Sequence, residues 1–364
     1  MVTSVQDIGD RGAAQRQGRF KVPGGKLVCA DLTVDGQVIT QASVSGDFFL
    51  EPDEALDCLN QALVGTPTSI DAPALHQRLS DALPANVRFG GFDVDAVVMA
   101  VRRALGLTST WDDFTFDVIG PVTLPPAQHV ALDEVIAAEV ASGVRPPTLR
   151  MWDWDAGVVV IGSFQSLRNE VDEEAAARYG IQVVRRITGG GAMFMEPGNC
   201  ITYSLVVPGS LVDGLTYEAS YAFLDQWVLG GLAKVGVQAR YVPLNDIASD
   251  LGKIGGAAQR RLVGGTVLHH VTMSYDIDAD KMTQVLRIGR EKLSDKGIAS
   301  ANKRVDPMRS QTKLPRAVIM ETFLDHFNQL YNCQRSNYSA EELAQAEQLV
   351  RDKYNDDAWT RRVP

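Results

Sequence analysis

Cysteine is scarce in this 364-residue chain: Cys29, Cys58, Cys200 and Cys333 lie far apart and form no CxxC pair. That spacing offers neither a disulfide framework nor a common zinc motif, and it predicts reduced, packed thiols in a cytoplasmic protein. No apolar run approaches the ~18 residues that a membrane span requires, so no membrane contact is expected. The opening stretch "MVTSVQDIGDRGAAQRQGRF" has no apolar segment of the signal-peptide kind and reads as a polar arm, residues 1–22. Basic residues are outnumbered, 35 Lys and Arg against 45 Asp and Glu, and the formal charge of −10 argues against nucleic-acid binding. Also missing are internal repeats, a Gly-Lys-Ser/Thr Walker loop and a GxGxxG opening a helix, which removes the P-loop and Rossmann readings.

What is present is an ordinary globular composition, 45% apolar and 22% charged, at a length that suits two domains. "GKLVCADLTVDGQVITQASVSG" holds two β-rich runs around Asp35-Gly36, a pair favoured in hairpin turns. Ala55, Leu56, Leu59 and Leu63 fall at helical spacing before Gly65, and "APALHQRLSDAL" and "DVDAVVMAVRRALG" predict two more helices. Periodicity fades towards "GPVTLPP", so residues 23–110 form a first domain, 111–126 a linker and 127–364 a second domain. In the second, "AQHVALDEVIAAEVASG" is helical and "TLRMWDW", "GVVVIGSF", "IQVVRRIT", "NCITYSLVVP" and "GGTVLHHVTMSYDI" are β-rich. A helix is expected from Tyr217 to about Val235, and the tail is helical, with Ser339 and Glu342 fitting a capping box. Strands and helices mix irregularly, which gives an α+β fold class with a mixed sheet.

Two constellations carry chemistry. In "RRITGGGAMFMEPGN" a strand ending in Arg185-Arg186 runs into three glycines, and backbone N–H groups without a neighbouring Cβ can cradle an anion. A tight strand-to-strand turn with surface arginines is the plain alternative. In "NDIASDLGKIGGAAQRR" Lys253 precedes Gly255-Gly256-Ala257-Ala258, where an ammonium can meet a phosphate or carboxylate closely, or simply mark a strand edge. In "LHHVTMSYDID" adjacent strand residues face opposite ways, so one histidine is expected to face a site and zinc is not expected.

In order, "RRITGGGAMF…GN", "ND…GKIGGAAQ" and "HHVT", downstream of "HVALDEVI" and "VVVIGSFQSLRNEV", resemble the catalytic domain of lipoate–protein ligases. "EKLSDKGIASANKRV" and "RDKYNDDAW" extend the likeness to the tail, and the first domain is similar to the family's small accessory domain, placed here in front. The resemblance implies a mixed-sheet catalytic domain of the biotin/lipoate ligase type that joins lipoate to ATP and passes the lipoyl group to a carrier lysine. The implied carriers are lipoyl domains such as 2-oxoacid dehydrogenase E2 subunits and glycine-cleavage H protein. It implies ATP on Arg186, Gly191, Ala192, Met193, Phe194 and Lys253, with Lys253 catalytic. Lipoate or its adenylate would meet Gly189, Gly190, Asn199, Asn245, Gly256, Ala258 and Lys253, with His270 and Thr272 as further candidates. Mg²⁺ would arrive with ATP, near Asp246. Val159, Ile161 and Val184 are weak candidates for the apolar slot. Met195 stands where the family often has histidine, and Val271 where it often has glycine.

The nearest rival is an octanoyltransferase on the same scaffold, one class of which uses a cysteine just upstream of the lysine motif; "PLNDIASDLGK" has none. A biotin ligase fits the motifs less well, and a non-catalytic lipoyl-carrier binding protein would have no need of Lys253. Residues 281–316 hold ten Lys/Arg and three Asp/Glu, a solvated helical face or a docking surface for an acidic carrier.

Overall fold

A computed structural model describes residues 13–287 and 307–363. The chain divides into two compact units: residues up to Thr110 with Ser210–Phe223, and Trp111–Gly209 with the described residues from Leu224 onward. The insertion of Ser210–Phe223 into the first unit lies outside the sequence-based boundaries.

In the first unit, β1 (Ala14–Lys21), β2 (Leu27–Asp35) and β3 (Val38–Gly46) form an antiparallel sheet, and β4 (Phe49–Glu51) pairs with β5 (Arg88–Gly90). The expected polar arm is thus corrected from Ala14 onward. Its side chains are polar because β1 is an edge strand that buries only Gly18 and Phe20. A Cβ at Gly18 would lie 2.0 Å from the Ala100 carbonyl oxygen, so glycine is what lets β1 approach α3 (Val94–Ala104). α1 (Ala55–Leu63), α2 (Ala72–Ala82) and α3 supply Leu59, Leu63, Leu75, Val97 and Val101 to the core beneath Val28, Ala30 and Leu32 of β2. Asp213, from the inserted segment, accepts a 2.6 Å bond from Arg102.

The second unit is built on an eight-stranded mixed sheet. Its strands are β6 (Phe116–Leu124), β7 (Thr148–Trp154), β11 (Cys200–Pro208), β12 (Arg240–Val242), β13 (Asp246–Ala248), β14 (Lys253–Leu262), β15 (Thr266–Ser274) and β16 (Cys333–Ser336). The order is β12-β13-β14-β15-β11-β7-β6-β16, parallel at β16·β6 and β6·β7 and antiparallel elsewhere. A second sheet orders β10 (Met193–Met195), β8 (Val158–Ile161) and β9 (Gln182–Arg185). The expected linker 111–126 is corrected here, since Phe116–Leu124 is a strand of the large sheet. Pro121 sits where the β6·β7 register shifts between Ile119 and Val122, a break in the ladder that tolerates a residue with no N–H.

α4 (Pro126–Ser142), capped by Gly143 at φ +72°, packs Val130, Leu132, Val135 and Ile136 with Trp152, Trp154 and Val206. α7 (Tyr217–Lys234) presents Gly230 and Gly231 to the helix Arg316–Leu330, and a Cβ on Gly231 would meet the Phe323 ring at 2.8 Å. α5 (Leu167–Glu170), α6 (Glu173–Arg178) and α8 (Ala279–Val285) pack a smaller cluster around Val159, Ile161 and Phe194. Ser339 caps the helix Ala340–Leu349 in a capping box with Glu342. Of the basic stretch 281–316, residues 288–306 lie outside the described residues, as does the family-like "EKLSDKGIASANKRV".

Candidate active site

Cross-strand register assembles the site. Gly256 of β14 lies opposite Thr272 of β15, which lies opposite Thr202 of β11, which lies opposite Trp152 of β7. One pleat on, Ala258, His270, Ser204 and Arg150 form a parallel row. With strands about 4.8 Å apart, the row from Gly256 to Trp152 makes a floor about 14 Å long. Over it lies a cavity of about 110 Å³. Arg186, Asn245, Lys253 and His270 are among its polar walls; Val130, Trp154, Val160, Met193 and Met195 are among its apolar ones. A second, mostly apolar cavity shares Ala192, Met193 and Lys253 with it and is also bounded by Ile254, Ile277 and Met282.

At the mouth, the Lys253 ammonium is 2.7 Å from Oδ1 of Asp246. A Cβ on Gly256 would stand 3.2 Å from that ammonium, so a glycine at this position keeps space for it. Asn245 closes the same hairpin: its Nδ2 donates to the Ala257 carbonyl at 2.6 Å.

The glycine turn is knitted by Arg186, whose Nη2 donates to the carbonyls of Gly189 (2.7 Å) and Gly191 (2.8 Å) and whose Nη1 donates to that of Val160 (3.1 Å). Gly190 has φ +91°, a region costly for other residues. A Cβ on Gly162 would fall 2.1 Å from the Gly190 carbonyl oxygen. Two backbones therefore touch at this turn.

A buried polar chain runs behind it. Arg186 Nε donates to Thr188 Oγ1 (2.9 Å), which is 2.8 Å from His270 Nε2, while His270 Nδ1 is 2.8 Å from Asp133 Oδ2. Asp133 also accepts from Arg150 (2.7 Å) and Ser204 (2.5 Å), and Trp152 Nε1 donates to Ser204 (2.9 Å). The carboxylate fixes the tautomer: Nδ1–H donates to Asp133, so Nε2 accepts the Thr188 hydroxyl proton. Burial pushes His270 below its ordinary value against the opposing pull of Asp133. Burial pushes Asp133 upward, but Arg150 and His270 outweigh it and the carboxyl stays below its usual range.

Residues 125–328 match the sequence model of the lipoyl protein ligase A/B catalytic domain. This chain belongs to that family. An octanoyltransferase, LipM, of Geobacillus kaustophilus is 28% identical over 263 residues, covering 65% of this lipoyl ligase-family chain and 94% of that protein. A bipartite lipoate protein ligase of Thermoplasma acidophilum, described with its E2 lipoyl domain, superposes with a TM-score of 0.61 at 25% identity. That match covers 69% of this chain and 98% of the other. A lipoate-protein ligase A bound with ATP gives a TM-score of 0.60 at 22% identity over 69% of this chain and 100% of the other, which speaks to fold alone.

Within this lipoyl ligase-family site the structure gathers Arg186, Gly191, Ala192, Met193, Asn245, Lys253, Gly256, Ala258, His270 and Thr272 around one cavity. Other expected residues fall elsewhere. Phe194 packs with Val159 and Ile161 and borders the second cavity. Gly189 and Gly190 shape the turn behind the lining. Asn199 accepts from the Glu196 N–H at 2.8 Å and closes the Pro-Gly turn. The slot candidates are also corrected: Val160 lines the cavity, whereas Val159 and Ile161 point into the smaller cluster and Val184 into the larger. His269 faces away, bonded at 2.5 Å to the buried Asp225, and Val271 lies on that same far side. Met195 is at the cavity wall, its sulphur accepting from the Thr272 hydroxyl at 3.7 Å.

Sequence reasoning missed Asp133, Thr188, Ser204 and Trp152. An Asp-Glu pair inside the otherwise apolar run "HVALDEVI" was the available signal. Among the described residues no three His, Cys, Asp or Glu side chains gather as a metal site, and Asp246 is held by Lys253.

Proposed function

We propose that this enzyme is an ATP-dependent lipoate–protein ligase that forms lipoyl-AMP and transfers the lipoyl group to a lysine of a lipoyl carrier domain. The observation that carries this reading is Lys253 at the junction of two cavities, one of them mostly apolar, with no thiol in either lining. The lipoyl tail lies along the Gly256–Trp152 row, with its carboxyl at Lys253. There the ammonium offsets the carboxylate and α-phosphate charges that must approach each other, and later the oxyanion formed when the carrier lysine attacks. N–H groups along Gly191–Met193 face nucleotide phosphate, with Arg186 holding the turn in shape rather than serving as a loose cation. Magnesium borne by the nucleotide would supply further charge neutralisation, and Asp246, here paired with Lys253, is the carboxylate that would hold it. Carriers of the E2 lipoyl-domain kind are the proposed partners, as for the Thermoplasma ligase, with glycine-cleavage H protein the other class. The first unit is proposed as the accessory domain of such ligases.

The second reading, an octanoyltransferase, is favoured by the name of the LipM relative. It calls for an acyl group held on a carrier thioester and an activated thiol. Of the four cysteines, Cys29 and Cys58 lie in the first unit, and Cys200 is fully buried with burial pushing its thiol up to about 11. Cys333, on the edge strand β16, is pushed to the same value by burial.

Lipoate-dependent exchange of labelled pyrophosphate into ATP, run without any carrier, separates the two. Exchange that Lys253→Ala lowers by about 10²–10³-fold while Cys200→Ser leaves it intact is the expected result. Octanoyl transfer without ATP that Cys200→Ser abolishes would replace the ligase by the transferase.

A further inference from the structure

Two hydroxyls, those of Thr272 and Thr202, stand in the floor row beneath the proposed acyl tail, where a hydrocarbon chain has nothing to offer them. Met195 lines the cavity beside them. A hydroxyl proton covered by an apolar chain and left without an acceptor is costly, so the protein itself must satisfy both threonines.

It does so through a sulphur. Thr202 Oγ1 and Thr272 Oγ1 are 3.2 Å apart, close enough for one to donate to the other. Met195 Sδ is within reach of both, 3.7 Å from Thr272 Oγ1 and 4.0 Å from Thr202 Oγ1. Whichever threonine donates to its partner, the partner's proton goes to the thioether, and neither proton faces the cavity. Cys200 does not replace that sulphur as acceptor. Its thiol lies 3.8 Å from Thr202 Oγ1, and burial, pushing it up to about 11, keeps it protonated, so it meets Thr202 as a donor. Neighbouring donors are engaged as well: His270 Nδ1 by Asp133 and Trp152 Nε1 by Ser204. Trp154 Nε1 is buried away from the cavity surface. Pairing of β10 with β8 sets Met195 opposite Val158 within the larger apolar cluster, from which its unbranched side chain reaches the threonines. A carbonyl laid over this floor gives up water and finds no N–H or O–H in return, whereas methylenes and dithiolane sulphurs lose little.

We infer that Met195 is a specificity-determining residue: as acceptor for the threonine hydroxyls it clears the acyl floor of hydrogen-bond donors and restricts the site to chains with no oxo group on their middle and far carbons. The inference rests on the proposed lie of the acyl tail along this row, not on how the acyl group is activated.

Isothermal titration calorimetry of the full chain, without ATP, compares octanoate with 5-oxo-octanoate and 7-oxo-octanoate, whose ketones fall towards Thr272 and Thr202 respectively. The parent is expected to bind octanoate about tenfold more tightly than either ketone. Met195→Leu nearly conserves volume but removes the acceptor, which frees one hydroxyl proton for the ligand. The preference should then shrink about fivefold for at least one ketone, the worth of one neutral hydrogen bond. Adding Thr202→Val and Thr272→Val to Met195→Leu removes the donors and should bring the parental preference back. Repacking alone would alter all three affinities together and would persist in the valine variant. A parent without the preference overturns the inference. So does an unchanged preference in Met195→Leu, or in Met195→Ile should the leucine variant lose its near-UV circular dichroism. Octanoate that fails to bind the parent would remove the acyl tail from this floor and overturn it too. Absence of pyrophosphate exchange in the parent would instead strike the ligase reading and leave these ratios standing.

Discussion

His129 is buried without contact to solvent, its ring stacked on Trp152 with centroids 4.9 Å apart and 6° between planes. Its Nε2–H donates to the Asp153 carbonyl at 2.7 Å. Burial, reinforced by the Arg150 charge, lowers its pKa from 6.5 to about 3. The unfolded chain therefore takes up this proton first. The stability contribution is complete above pH 6.5 and is lost as the pH falls towards the folded value. At pH 5 the loss amounts to about 2 kcal/mol. His270, lowered by burial, acts in the same direction. Glu139, raised to about 7 by burial and its bond to Glu342, acts oppositely between its ordinary value and pH 7. The informative quantity is accordingly a difference. Urea midpoints at pH 7 and pH 5 should fall further for the parent than for His129→Asn, by the equivalent of about 2 kcal/mol; parallel shifts would remove His129 from this role. At this scale the sequence was partly legible. Alternation along β15 sets His270, which lines the cavity, apart from His269, which faces away from it. Asp133 escaped notice because an acid on a helix usually meets water, and its Arg150 partner comes from the next strand, out of view of any local pattern.

Among the elements, the glycine turn depends on backbone contact. Gly162→Ala would drive a methyl group into the Gly190 carbonyl oxygen, 2.1 Å away, and no side chain is available to yield. We expect a loss of about 2–3 kcal/mol in unfolding free energy together with a fall in pyrophosphate exchange. Gly36→Ala, at φ +59° in the hairpin of the first unit with open space around it, should cost only about 1 kcal/mol and leave exchange unchanged. Equal loss of exchange in both would detach the turn from the chemistry. The strand pattern read well where one face is polar and poorly elsewhere. "VVVI" in β8 is apolar on both sides because it separates two hydrophobic clusters, so nothing in the run sets its phase. Pro121 suggested a boundary because a proline weakens any strand assignment unless the bulge that accepts it can be seen.

Over the whole molecule, the chain leaves the first unit at Thr110 and returns to it at Ser210–Phe223. No local signal announces such a return, since domain membership there is decided by contacts about a hundred residues apart. Removing residues 1–110 would strip the partners from Leu211, Val212 and Leu215, all buried in the intact chain. Fragment 111–364 is therefore expected to aggregate on expression, which light scattering would detect. Replacing Ser210–Phe223 with a short polar linker would be tolerated only if the helix carrying the Leu224 side of α7 retains its fold. A monodisperse, folded fragment without that change would contradict the division into units.

Arg185 and Arg186 are neighbours in sequence but grip opposite things. Arg186 holds the glycine turn, while Arg185 donates to the carbonyls of Gly162 (2.9 Å), Gln165 (2.7 Å) and Thr360 (2.7 Å), and Trp359 Nε1 bonds back to the Arg185 carbonyl at 2.8 Å. The Trp359–Thr360 segment is thus latched to the strand that leads into the glycine turn. A proteolytic nick close to Trp359 would loosen Arg185 and, one peptide unit on, the grip of Arg186 on the glycine turn.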